Sequence, residues 1–103
     1  MSERYTGKPF LRLVDSYVLD AIGHLDAAAD ANLTRLEPRF HAAFNATGDW
    51  RTIVATQMRF PEGMAGAIRE IWEKGKPRFI AEQGREPDPL EFVRIFVDTN
   101  FPH

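Results

Sequence analysis

The C-terminal part of the chain carries its clearest helix start, the segment Asp88-Pro89-Leu90-Glu91. Asp88 can accept hydrogen bonds from the unpaired N–H groups of a first turn, Pro89 suits a position that needs no N–H, and Glu91 can complete a capping box. This start sets the register of the apolar positions of the last helix, which are Leu90, Phe92, Val93, Ile95, Phe96 and Val97.

The apolar residues of this predicted helix cover a wide arc. At 100° per residue they occupy about 200° of its circumference, whereas a helix lying on a core needs about half of that arc. The helix is therefore either central, with neighbours on both sides, or one of its flanks meets another molecule. We predict that Phe92, Ile95 and Phe96 form that flank and act as an interaction surface.

The rest of the chain predicts an all-α protein. Apolar spacing and proline positions indicate a first helix from Pro9 to about Leu25, a second from Pro38, a third from Trp50 to about Met58, and a fourth from Pro61 to a stop at Gly84, bent or divided at Pro77. The alanine-rich and aspartate-rich segment from Asp26 to Asn32 is predicted to be a frayed helix end or a connector. We expect residues 1–103 to form one domain, a compact bundle of about five helices with irregular or orthogonal packing.

Composition restricts the classes of protein that remain. The 103 residues are 44% hydrophobic and 27% charged, as in ordinary globular proteins, and none is cysteine. Without cysteine there is no disulfide and no thiolate nucleophile, which fits a reducing compartment. No apolar stretch is long enough to cross a membrane, and the first residues are charged rather than apolar. We therefore predict a cytoplasmic protein of bacterial type, without a secretory signal and without a membrane partner.

Two small basic clusters are the strongest sign of an anionic partner: Lys74, Lys76 and Arg78 around Pro77, and Arg35 with Arg39. A net charge of −2 provides no field that would attract a polyanion. The short third and fourth helices could be taken as a helix-turn-helix, but the exposed side of the fourth helix mixes Arg69 with Glu70 and Glu73, which would repel phosphates. We interpret both clusters as solvated helix surfaces and predict no nucleic-acid partner.

Two histidines follow a carboxylate by four residues, in the pairs Asp20 with His24 and Glu37 with His41. On a helix such a pair can orient an imidazole as a base or as a metal ligand, but a solvated surface pair is the simpler interpretation. The chain has no nucleophile elbow around a serine and no glycine-rich phosphate loop. We therefore expect no catalytic residues, no metal and no cofactor, and we do not favour an enzyme.

The aromatic residues are more numerous than one small interior requires. The chain has eight phenylalanines and two tryptophans, and Trp50 and Phe60 flank helix breakers where a position near the surface is expected. Such a surplus is typical of a subunit interface or of an apolar pocket.

Two functions follow from this surplus. The first is a protein-interaction or self-associating module, with a homodimer as one form, that acts through Phe92, Ile95 and Phe96. The alternative is a binder of a small hydrophobic ligand in a pocket between helices, formed by Tyr17, Met64 and Trp72 together with Phe96.

Overall fold

A computed structural model describes residues 5–101. This part of the chain contains six α-helices and no strand, so the all-α prediction is confirmed and the expected number of helices is one too low. The helices are α1 Pro9–Ala21, α2 Ala27–Arg35, α3 Glu37–Phe44, α4 Trp50–Met58, α5 Met64–Gln83 and α6 Pro89–Asn100. Residues 1–4, on which the secretory-signal prediction depends in part, lie outside the described residues.

Three of these helices begin at an aspartate whose side chain caps the first turn. The carboxylates of Asp26, Asp49 and Asp88 accept hydrogen bonds from the backbone N–H groups of Ala28, Thr52 and Leu90, at 2.8, 2.8 and 3.0 Å respectively. Each bond satisfies a donor that the helix itself leaves unpaired. The predicted starts at Trp50 and Pro89 are confirmed.

The additional helix is α2, and it occupies the segment predicted to be frayed or to connect two helices. That prediction is wrong because Asp26 caps a new helix and the following alanines have high helix propensity. The preceding helix ends earlier than predicted, at Ala21, where Gly23 has φ +80 and His24 donates its backbone N–H to Leu19. A left-handed glycine followed by this backward bond is the usual end of a helix.

The bounds of α5 also differ from the prediction. The helix begins at Met64 rather than at Pro61, because Gly63 has φ +84 and cannot be part of a right-handed helix. Pro77 neither ends nor divides it, since the helix is continuous from Met64 to Gln83. The stop at Gly84, which has φ +71, is confirmed.

The chain divides into two compact units. The described part of the first unit is residues 5–24 and 63–101, in which α1 packs against both α5 and α6. Its core consists of the buried apolar residues of these three helices and of Ile22, which directly follows α1. These residues are Leu11, Leu13, Val14, Val18, Ala21, Ile22, Ile68, Trp72, Val93 and Val97. The expectation of a single domain stays a prediction.

The second unit, Leu25–Glu62, contains α2, α3 and α4, which pack in chain order. Its buried apolar residues are Leu33, Trp50, Ile53 and Val54. The expected surface position of Trp50 is wrong, because this side chain is 0% exposed. A tryptophan beside a helix start can be buried when its N–H groups find acceptors, as they do here at Asp30 and Glu37.

Within residues 5–101, no helix combines the length and the apolar character that crossing a membrane requires.

Candidate functional site

The first unit carries a groove between α5 and α6. The two helices are joined by the short connector 84–88 and both pack on α1, which leaves a cleft of about 290 Å³ between them. The residues that line this α5/α6 groove are mostly apolar: Ile71, Trp72, Gly75, Lys76 and Phe79 from α5, Pro87 and Asp88 from the connector, and Glu91, Phe92, Ile95, Phe96, Thr99 and Asn100 from α6.

Aromatic rings form a continuous row along this groove. The ring of Phe92 lies 5.0 Å from that of Trp72, edge to face, and 5.7 Å from that of Phe96, nearly parallel to it. The row continues on one side to Phe101, 5.7 Å from Phe96, and on the other to His24, 5.5 Å from Trp72. Rings at these distances and angles attract one another and hold each other in place, so the groove has a firm apolar wall.

Two isoleucines stand on opposite sides of the groove and remain in solvent. Ile71 of α5 is 50% exposed and Ile95 of α6 is 61% exposed. The reason is that α6 packs on α1 through Val93 and Val97, which lie on a different part of its surface. The wide apolar arc of the last helix is therefore used on one side by the core and on the other side by the groove.

Two cations lie against aromatic rings of α5, and one of them, Lys76, lines the groove together with the carboxylates of Asp88 and Glu91. The ammonium group of Lys76 lies 5.6 Å from the centre of the Trp72 ring, and the guanidinium of Arg85 lies 5.0 Å from that of Phe79. These cations cover ring faces at the connector end of the groove.

Along the outer side of α5, Lys74 donates a hydrogen bond of 2.6 Å to Glu70. This hydrogen bond lowers the pKa of Glu70 and raises the pKa of Lys74. Both side chains therefore carry their charges at neutral pH, on a highly exposed part of the helix.

The predicted site residues fall into two groups. Phe92, Ile95 and Phe96, predicted as an interaction surface, all line the α5/α6 groove. Of the predicted pocket residues, Trp72 also lines it, whereas Met64 and Tyr17 are partly buried elsewhere, at the start of α5 and on α1. Burial, together with the nearby Asp20 carboxylate, raises the pKa of the Tyr17 hydroxyl. The binding roles of these residues stay predictions.

Of the residues that line the groove, the sequence analysis assigns a binding role only to Trp72, Phe92, Ile95 and Phe96. Ile71 follows the same apolar spacing on α5 as the buried Ile68 and Trp72, a pattern typical of a core position, but it is half exposed. It lies about 100° from Trp72 around the helix, and this offset is the signal that places it at the edge of the buried face. Gly75 also lines the groove, and a Cβ atom added at this position would meet nothing within 4 Å.

The two carboxylate–histidine pairs belong to different units, Asp20 with His24 to the first and Glu37 with His41 to the second. His24 lies beyond the end of α1, so the helical spacing that brings residues four apart together does not hold for it. In the second unit, Nε2 of His41 donates to the carbonyl oxygen of Gly48 at 2.6 Å, and Glu37 accepts from the backbone N–H of Trp50 at 3.1 Å. Among residues 5–101, no group of three or more histidines and carboxylates is placed to hold a metal ion.

The densest polar cluster of the second unit surrounds Asp30. Its two carboxylate oxygens accept hydrogen bonds from the indole N–H of Trp50 and from the guanidinium of Arg51, each at 3.0 Å. The guanidinium also lies 4.6 Å from the centre of the Trp50 ring. The cluster ties α2 to the start of α4.

Comparison of the chain with protein-family models, with curated proteins and with solved structures found no match.

Proposed function

We propose that this protein is an interaction module that binds an apolar helix in its α5/α6 groove. The observation that carries the proposal is the pair of isoleucines, Ile71 and Ile95, exposed on the two sides of a mostly apolar cleft. Water-exposed apolar surface of this kind is unfavourable unless a partner covers it. The cytoplasmic location and the bacterial type expected from the sequence belong to this proposal.

A helix is the partner whose shape best suits such a groove. Two helices with a cleft between them can accept a third helix that presents apolar side chains one turn apart. The aromatic row supplies the rigid surface into which such side chains pack, and aromatic residues are the type that most often dominates binding energy.

A small hydrophobic ligand is the second candidate, supported by the aromatic wall and by the volume of the groove. That volume, about 290 Å³, is near the lower end of the roughly 300–1,000 Å³ typical of ligand pockets. Native mass spectrometry of the purified protein tests this candidate. A discrete added mass on each subunit supports it, and a bare subunit contradicts it.

The leading proposal is tested with the variant Ile95→Asp and the matched control Leu90→Asp. Both positions are exposed isoleucine or leucine side chains of α6, 61% and 51% exposed, but only Ile95 lines the groove. Partners captured on the wild-type protein are purified, and their dissociation constants are measured with each variant. We expect Ile95→Asp to weaken binding about thirtyfold, as losing a strong apolar anchor does, while Leu90→Asp has little effect.

Circular dichroism checks that both variants keep their helices. If Ile95→Asp binds every partner, including a second copy of the chain, as tightly as the wild type does, the groove is not the binding surface and the proposal is wrong.

A further inference from the structure

We infer that the helix bound in the α5/α6 groove carries an acidic side chain, which forms an ion pair with Lys76 of the groove. The inference rests on the proposed function and specifies the chemistry of the partner. That partner is an amphipathic helix of another protein, with an aspartate or a glutamate close to its apolar anchors.

Three charged side chains line the groove, those of Lys76, Asp88 and Glu91, and both carboxylates have partners that offset their charge. Asp88 accepts a hydrogen bond of 3.0 Å from the backbone N–H of Leu90 at the start of α6, where the helix dipole also favours an anion. Glu91 lies in the first turn of the same helix, and one of its oxygens is 3.8 Å from the guanidinium of Arg85. The negative charges of the groove are therefore balanced inside the molecule.

The ammonium group of Lys76 has no such partner, since it forms no ion pair with any residue from 5 to 101. On a helix a lysine can pair with a carboxylate three or four residues away. The only carboxylate at that spacing is Glu73, which pairs with Arg69 instead, at 3.5 Å. The Lys76 ammonium lies 5.6 Å from the centre of the Trp72 ring, over an apolar surface. The groove therefore keeps one cation without an anion.

A helix that covers the groove also takes water away from this cation. Lys76 is already partly buried, and removing more water from an ammonium group is unfavourable unless an anion replaces that water. The face of the Trp72 ring attracts the cation, but it offers no charge-assisted hydrogen bond. A carboxylate of the partner supplies such a bond, whereas a lysine or an arginine at the same place is repelled. Binding therefore favours an acidic helix over a basic one.

A gap on α5 indicates where the acidic side chain lies. Ile71, Gly75 and Phe79 follow one another at intervals of four residues and all line the groove, so they form one stripe along the helix. Gly75 leaves the gap in this stripe, because a Cβ atom added there would meet nothing within 4 Å. A large apolar side chain of the partner has room in this gap. Lys76 directly follows Gly75, so the acidic side chain is expected within about one turn of that anchor.

A displayed library of helical peptides of about 16 residues tests the inference on the full chain. Leucines one turn apart provide the apolar face, and each flanking position carries glutamate, lysine or serine with equal frequency. On the wild type we expect glutamate to be enriched beside one of the leucines and lysine to be depleted there. On Lys76→Glu this preference should reverse, because the cation of the groove has become an anion.

The affinity of one selected acidic peptide, measured by calorimetric titration, gives the size of the effect. We expect Lys76→Glu to raise the dissociation constant about tenfold, as attraction becomes repulsion at a partly buried position. Lys74→Glu is the matched control, since it makes the same change of charge on the same helix. Lys74 pairs with Glu70 and does not line the groove, so this variant should bind the peptide nearly as tightly as the wild type does. Circular dichroism checks that both variants keep their helices.

The absence of a charge preference would overturn the inference. If the wild type selects peptides that need Ile95 but carry glutamate and lysine equally often, the groove binds a helix whose partner chemistry is not acidic. The inference is also wrong if Lys74→Glu weakens the acidic peptide as strongly as Lys76→Glu does. In that case the effect comes from the overall charge of the protein rather than from the groove.

Failure of the proposed function gives different results. If no helical peptide is selected, or if the selected peptides bind Ile95→Asp as tightly as the wild type, the interaction groove and its acidic partner are both overturned. A groove filled by a second copy in sedimentation velocity, or by a small molecule in native mass spectrometry, in a protein that selects no acidic peptide also overturns the acidic partner.

Discussion

At the scale of single residues, the second unit contains a partly exposed carboxylate that accepts hydrogen bonds from two side chains at once. Asp30 accepts from the side chains of Arg51 and Trp50, while the backbone N–H of Trp50 is satisfied by Glu37. The indole can therefore be fully buried without leaving a donor unpaired. The hydrogen bonds from Arg51 and then from Trp50 lower the pKa of Asp30 below its usual value.

This lowered pKa predicts how acid affects the protein. A carboxyl group whose pKa is lower in the folded state than in the unfolded state, where it is about 3.9, stabilises the fold fully above that unfolded value. The stabilisation is then lost as the pH falls through the lower pKa of the folded state. We expect Asp30→Asn to lower the unfolding midpoint at pH 7, and we expect the difference from the wild type to shrink below about pH 4.

Urea unfolding at a series of pH values measures this difference. Asp26→Asn is the control, because Asp26 caps α2 and asparagine caps a helix about as well as aspartate does. A difference between Asp30→Asn and the wild type that stays constant from pH 7 to about pH 2 would show that the charge of Asp30 does not contribute.

At the scale of the helix, α5 has a low intrinsic helix propensity for its length. It carries Gly66, Gly75 and Pro77 in its interior, each unfavourable in a helix, and only Ile68 and Trp72 of its side chains are buried. The helix is continuous despite this because its first half packs on α1 and its outer face carries ion pairs four residues apart.

This weakness predicts opposite effects for two glycine substitutions at α5. Gly66 has helical backbone angles and open space around it, so Gly66→Ala should raise the free energy of unfolding by about 1 kcal/mol. Gly84 ends the helix with φ +71, a conformation that costs an alanine about 1–2 kcal/mol, so Gly84→Ala should lower it. Chemical denaturation of the two variants measures both changes, and effects of the same sign would contradict this reading of the backbone.

At the scale of the whole molecule, the distribution of the aromatic residues is the main support for the proposed function. All eight phenylalanines are only partly buried, and the fully buried side chains are mainly aliphatic. The aromatic surface that the core does not use collects along the α5/α6 groove, between the exposed Ile71 and Ile95. The helix proposed to bind in this groove would cover the surface with apolar contacts.

This distribution predicts that binding of a partner in the groove depends weakly on salt. Exposed ion pairs are largely screened at high ionic strength, whereas apolar contacts are not. We expect the dissociation constant to change less than about tenfold between about 0.05 and 0.5 M sodium chloride in sedimentation experiments. A change of about a hundredfold would mean that the ion pairs dominate, which contradicts an apolar centre.

The sequence by itself determines most of the helices, because their signals are local. Proline, aspartate and glycine act within a few residues, so the start of α4, the start of α6 and the end of α5 can be predicted from the chain. The failures have local causes as well. The cap at Asp26 precedes a segment without large apolar residues, and the left-handed Gly63 is preceded by a proline that is itself a helix-start signal.

The tertiary structure alone decides which apolar face meets the core. The sequence shows that α6 is apolar over too wide an arc and singles out Phe92, Ile95 and Phe96, but it cannot show that Ile71 stands across from them. It also cannot show that Trp50 is buried, because the acceptor of its indole N–H lies 20 residues away along the chain. Burial depends on which distant segments pack together, and no local pattern contains that information.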